Sequence, residues 1–129
     1  MHIEHVAIWT ADLERLKHFY ESYFGATAGR RYANPHKQFT SYFLTFRSGA
    51  RLELMQTPAV APAAGETDYP LAGYTHLAFA VGSQEQVDDL TTRLAHDGHP
   101  ILGGPRWTGD GYYESVILDP DGNRVEITI

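Results

Sequence analysis

The chain has 129 residues, 43% of them apolar and 20% charged, which suits one globular domain with a real core. A formal net charge of −6 and the lack of a basic face argue against nucleic acid as a partner, and no basic helix suits a membrane surface. There is no cysteine, which excludes disulfides, thiolate catalysis and cysteine metal sites. The longest apolar run is the five residues Leu77 to Val81, far below a membrane span, and Glu4 interrupts any leader-like N-terminus. A cytoplasmic protein is expected.

His2 to Trp9 alternates with a period of two and predicts a strand. Val6 and Ile8 share one face, and His5, Ala7 and Trp9 share the other. Leu13, Leu16, Tyr20, Tyr23 and Phe24 then recur at helical spacing, with Gly25 placed to stop the helix. A short strand and a loop around Asn34-Pro35 are expected between Ala26 and Gln38. Phe39 to Phe46 reads as a strand, Arg47 to Ala50 as a turn, and Arg51 to Met55 as the returning strand. Residues from Thr57 to Pro70 are rich in proline, alanine and glycine, have no period and read as a linker. Tyr74 to Val81 predicts a second strand bearing a histidine, with Leu77, Phe79 and Val81 on one face. Tyr74, His76, Ala78 and Ala80 lie on the other, where two small side chains leave room beside an imidazole. Ser83 and Gln86 form a capping box for a helix carrying Val87, Leu90 and Leu94, which Gly98 can end. Tyr112 to Leu118 and Arg124 to Ile129 read as strands joined by the turn Asp119-Pro120-Asp121-Gly122-Asn123.

The order of elements repeats on either side of the linker: module 1 at about 1–57, linker at about 58–72, module 2 at about 73–129. His5 and His76 are 71 residues apart, and Glu53 and Glu126 are 73 apart. Each module thus places a histidine on its first strand and a glutamate on its last, opposite the stronger apolar face. The expected fold is α+β, two paired βαβββ modules forming a curved mixed sheet around a cleft. A single histidine or glutamate on a strand is most often a half-exposed surface residue. Four in repeated register beside small residues favour a metal site of His5, Glu53, His76 and Glu126. Two nitrogen and two oxygen donors suit one divalent transition metal ion, with Zn, Ni, Co, Fe and Mn all compatible. His18, His36, His96 and His99 lack this register and read as surface residues, and His2 as terminus. Trp9, Tyr74, Trp107 and Tyr112 are candidates to line the cleft.

These features resemble the vicinal oxygen chelate superfamily, which includes glyoxalase I, bleomycin-resistance proteins, fosfomycin-resistance enzymes, extradiol dioxygenases and methylmalonyl-CoA epimerase. The resemblance covers the whole chain. It rests on His5, on Glu53 in Arg-Leu-Glu-Leu, on His76 in Tyr-Thr-His-Leu-Ala-Phe, and on the Asp119 to Asn123 turn leading to Glu126. Within the superfamily the four donors are most similar to the His-Glu-His-Glu set of glyoxalase I. That likeness implies a metal-dependent lyase or isomerase. It would act on a small substrate that chelates through vicinal oxygens, by proton transfer via an enediolate, with Glu126 or Glu53 as catalytic base. It also implies a homodimer. A binding protein of the bleomycin-resistance type, sequestering a drug or metabolite, is the alternative. Glutathione-using glyoxalases usually carry arginine where this chain has Trp9. They also tend to carry asparagine shortly after the first glutamate, where it has Gln56, Thr57 and Pro58. The resemblance therefore does not carry glutathione over as substrate.

Overall fold

The computed structural model describes residues 1–61 and 72–129, and the chain divides into two units, Met1–Pro62 and Ala63–Ile129. Most of the expected linker lies outside the described residues. The first unit runs β1 (His5–Trp9), α1 (Leu13–Phe24), β2 (Thr27–Ala28), β3 (Tyr32–Asn34), a 3-10 turn (Pro35–Lys37), β4 (Phe39–Thr45) and β5 (Arg51–Gln56). The second runs β6 (Leu77–Ala80), α2 (Gln84–His96), β7 (Ile101–Trp107), β8 (Tyr113–Leu118) and β9 (Arg124–Thr128). The fold is α+β, with one open mixed sheet in each unit.

The two sheets share a topology. In the first the order is β1-β5-β4-β2, with β3 also on β4; in the second it is β6-β9-β8-β7. The opening strand of each unit runs parallel to the closing strand, and the remaining pairs are antiparallel. A parallel pair needs a crossover, and in each unit the helix together with the intervening antiparallel strands supplies it. Both opening strands are shorter than their alternation predicts. β1 starts at His5, opposite Arg51 where β5 begins, so His2 to Glu4 lie outside it. β6 starts at Leu77, opposite Val125, so His76 stands one residue before the strand. A strand extends only as far as its partner, and β9 starts at Arg124, directly after the Asp119 to Asn123 turn. That turn is tied by Asp119, which accepts from the Asp121 and Asn123 amides and from Asn123 Nδ2, each at 2.9 Å.

Each helix packs its apolar stripe on one sheet face. The Asp12 carboxylate caps α1 by accepting from the Arg15 amide, and Gly25 ends it in the left-handed conformation at φ 64. Leu13, Leu16, Phe19 and Tyr20 are buried along it, against Leu44, Leu52 and Leu54 of the sheet. Ser83 caps α2 through the Gln86 amide at 3.2 Å, as its spacing predicts. Val87, Thr91 and Leu94 are buried there, with Ile117, Val125 and Ile127 beneath them. Full burial of such side chains contributes about 1.5–3 kcal/mol each. Thr91 Oγ1 donates to the Val87 carbonyl and lies 2.6 Å from Ser115 Oγ, so these buried hydroxyls have partners. Among the described residues no helix is long and apolar enough to cross a membrane.

Candidate functional site

The face of each sheet opposite its helix carries the predicted donors. In the first unit, Ala7 pairs with Glu53 and Glu53 with Phe43. His5 lies two residues before Ala7, on the same face, and its Nε2 is 4.0 Å from Glu53 Oε2. In the second, Ala78 pairs with Glu126 and Glu126 with Val116. His76 lies two residues before Ala78, and its Nε2 is 3.2 Å from Glu126 Oε2. The repeat therefore holds at the level of register: histidine, then an alanine opposite the glutamate. An alanine leaves the flank of each carboxylate open, where a larger residue would fill it. The glutamate side chains keep 15% and 21% exposure and the imidazoles 41% and 37%, so each pair is anchored yet reachable.

These distances test whether the residues suit a metal. At metal–donor distances of about 2.0–2.2 Å, two donors on one ion sit about 2.8–3.6 Å apart for right-angle to tetrahedral geometry. The His76–Glu126 pair falls inside that window, and the His5–Glu53 pair is slightly wide of it, within reach of a side-chain rotation. Among the described residues no group of three or more His, Asp or Glu side chains is placed to hold an ion. Each pair thus offers two donors within its own unit. Neutral imidazole nitrogen and carboxylate oxygen are the right donor types for a divalent transition ion.

The pair in the first unit has surroundings that its sequence pattern did not reveal. Glu4, one residue before β1, turns its carboxylate to His5 Nδ1 at 2.5 Å and forms an ion pair with Arg51. The hydrogen bond from His5 is the main cause holding the Glu4 carboxyl below its usual value; desolvation opposes it and Arg51 assists. The Arg51 guanidinium lies over the Phe43 ring at 4.1 Å, and Phe43 meets the His5 ring edge-on at 5.3 Å. On the second sheet, Glu114 pairs with Thr128, on the Glu126 face, and Arg106 lies 3.5 Å from it.

The aromatic candidates separate. Trp9 is on the His5 face, opposite Met55, about 6.6 Å along the strand from Ala7. It meets Phe39 edge-on at 6.0 Å, and Tyr32 lies 6.0 Å beyond Phe39. Trp9 and Tyr32 are 52% and 54% exposed, forming an open aromatic shelf beside the His5–Glu53 pair. Phe39 and Tyr32 could have been added from strand alternation alone, once β3 was paired with β4. Trp107 does not join a donor face. It pairs with Tyr113, whose hydroxyl donates to Asp88 of α2, so both rings are on the helix side of the second sheet. A register shift between Gly103 and Arg106 hides this from simple alternation. Tyr74 is fully exposed ahead of His76, and Tyr112 is exposed at the end of a turn tied by Thr108. His18, His36 and His96 are exposed and His99 is half-buried, all away from the donor registers.

The chain is 28% identical over 130 residues to the uncharacterized protein YqjT of Bacillus subtilis (strain 168), covering 97% of this chain and 96% of that one. Among solved structures, the trypanothione-dependent glyoxalase I of Leishmania major matches with a TM-score of 0.78 at 24% identity, over 99% of this chain and 86% of that chain. The glyoxalase family protein from Enterococcus faecalis matches with a TM-score of 0.77 at 26% identity, over 98% and 96%. The first of these structures speaks for the fold alone. The model of the Glyoxalase/Bleomycin resistance protein/Dioxygenase superfamily matches residues 2–127, nearly the whole sequence, and the chain belongs to that superfamily.

Proposed function

We propose that the protein is a metal-dependent lyase or isomerase of glyoxalase I type, acting on a small substrate with two vicinal oxygens. The observation that carries this reading is the His–Glu pair repeated in identical register, each beside an alanine. His5, Glu53, His76 and Glu126 would together hold one divalent ion, Zn, Ni, Co, Fe or Mn. That ion would polarise the substrate oxygens and make the adjacent C–H acidic. The chain's own work is then proton transfer: Glu126 or Glu53 accepts the proton from one carbon and returns it to its neighbour, so atoms and charge balance in an isomerisation. A positioned carboxylate base of this kind is typically worth about 10²–10⁴ in rate. The functional form is proposed as a homodimer, which light scattering tests.

The Trp9–Phe39–Tyr32 shelf bears on the substrate. It offers a neutral aromatic surface one strand repeat from the Glu53 flank, suited to a flat apolar group near the chelating oxygens. A neutral indole cannot grip a carboxylate as an arginine fork does, so the glutathione–methylglyoxal adduct should be a poor substrate. The same shelf favours the second reading, a protein that sequesters an aromatic drug or metabolite. Metal content of protein purified without added metal tests the first reading, and steady-state kinetics on that adduct test the exclusion of glutathione. Metal-free protein that binds aromatic ligands tightly and turns nothing over would replace it with the second.

A further inference from the structure

Glu4, His5, Phe43 and Arg51 form a closed ring of contacts. Glu4 meets His5 Nδ1 at 2.5 Å, His5 meets Phe43 edge-on at 5.3 Å, Phe43 carries Arg51 on its face at 4.1 Å, and Arg51 pairs back to Glu4. The backbone reinforces the ring, because the Arg51 amide donates to the Glu4 carbonyl at 2.9 Å. An ionised carboxylate only accepts hydrogen bonds. The proton between Glu4 and His5 must therefore sit on Nδ1, and a neutral imidazole protonated there has a bare Nε2. That atom is the one facing Glu53. Among the described residues the second unit does not repeat the device. Thr75 occupies the position before His76 and has no carboxylate, and His76 contacts Glu126 through Nε2.

We propose that Glu4 is a positioning residue that holds His5 as the Nδ1-protonated tautomer with Nε2 free toward Glu53, making the two histidine–glutamate pairs unequal. The tautomer follows from the contacts alone. Its consequence for metal affinity rests on the function proposed above. A partner on the far nitrogen fixes the ring and raises its basicity, and loss of such a partner typically costs about 10–100-fold in metal affinity. Arg51 acts one step further out: it keeps the Glu4 carboxylate turned toward the ring instead of into solvent.

The experiment uses full-length, metal-free protein with ¹⁵N-labelled histidine at alkaline pH, comparing wild type, Glu4→Ala and Glu4→Gln. Two-bond ¹H–¹⁵N spectra read the tautomer of each ring, with His5→Ala and His76→Ala assigning the signals. Zinc affinity is then measured by competition with a chromogenic chelator. In wild type, His5 should be almost wholly the Nδ1-protonated form. Glu4→Ala should give a mixture at His5 with no change at His76, and weaken zinc about 10–100-fold. Glu4→Gln retains an acceptor oxygen and should keep most of the tautomer, with a smaller loss of affinity. Glu4 is exposed and outside β1, so both variants should fold. A wild-type His5 protonated on Nε2, or a tautomer ratio that Glu4→Ala leaves unchanged, would overturn the proposal. The expected tautomer in a protein that binds no zinc would leave the positioning intact and sink the metal reading instead.

Discussion

Ala78 lies directly opposite Glu126 across the parallel β6–β9 ladder, so the in-register neighbour of the carboxylate on that strand is a methyl group. Ala7 stands in the same relation to Glu53. Both alanines are exposed on the open face, so neither is required by the core. Ala78→Leu should therefore fold, with a stability change within about 0.5 kcal/mol, as for surface substitutions generally. The isobutyl group would occupy the flank of Glu126 and obstruct anything that approaches it. Zinc affinity should fall at least tenfold (roughly 1.4 kcal/mol) while the melting curve hardly moves. Wild-type affinity in Ala78→Leu would mean that this space is not used.

The donor set predicts a loss that neither histidine can prevent alone. His5→Ala and His76→Ala should each lower metal content on purification, because each pair offers only two donors. Affinity in the parent protein should also fall at acid pH, since imidazole and carboxylate must shed protons to coordinate. Elemental analysis of both variants against wild type gives the answer. Full retention by both would remove the site.

Much of this was legible in the sequence because strands obey a period of two. The register of His5 with Ala7, and of His76 with Ala78, follows from alternation alone. So does the placement of Glu53 and Glu126 opposite the leucines, valine and isoleucines of the core. What alternation cannot show is where a strand stops finding a partner, which is why His76 falls just outside β6. Nor can it cross a register shift, which is why Trp107 lies with Tyr113 on the helix side. Glu4 escaped for a different reason. By parity it belongs to the opposite face, and only its position ahead of the strand lets its carboxylate reach His5 Nδ1.

A surface cluster away from the site sets a pH test of the fold. Glu14 of α1 accepts from the Tyr42 hydroxyl at 3.0 Å and from Lys17 Nζ at 2.5 Å, and Lys17 Nζ lies 4.7 Å from the Tyr42 ring centroid. The Glu14 carboxyl is held below its ordinary 4.5, chiefly by the Lys17 hydrogen bond, and Lys17 is pushed above its ordinary 10.5 by Glu14. A lowered carboxyl stabilises the fold above pH 4.5 and loses that contribution as pH falls through its folded value. A raised amine stabilises below pH 10.5 and loses it as pH rises through its own folded value. The cluster thus contributes fully between these limits. Glu14 is 57% exposed, so screening limits the contribution to about 0.2–1 kcal/mol. Urea midpoints of wild type and Glu14→Gln should differ at neutral pH and converge in strong acid. A gap that stays constant into strong acid would contradict this assignment.

Whether the protein performs chemistry or only binds turns on Glu126. Its strand is fixed to the core by Val125 and Ile127, both fully buried, so the carboxylate is held in a defined place. Its partners across the ladders are Ala78 and Val116, neither of which competes for its oxygens, and His76 Nε2 lies 3.2 Å away. Glu126→Gln keeps the shape and removes the negative charge and the basic oxygen. In an enzyme, proton transfer should then slow by about 10²–10⁴. Weaker metal binding would add to that loss, so metal occupancy has to be measured on the same samples. In a sequestering protein no proton moves, and the substitution should change ligand affinity only modestly. Deuterium uptake from heavy water separates the two, using a panel of α-hydroxycarbonyl compounds with and without an aromatic ring. Metal-dependent exchange should appear in wild type, vanish in Glu126→Gln at matched metal occupancy, and be faster for the aromatic members if the Trp9 shelf holds the ring. Exchange that survives the substitution undiminished would assign the base elsewhere, with Glu53 the next to test by the same change.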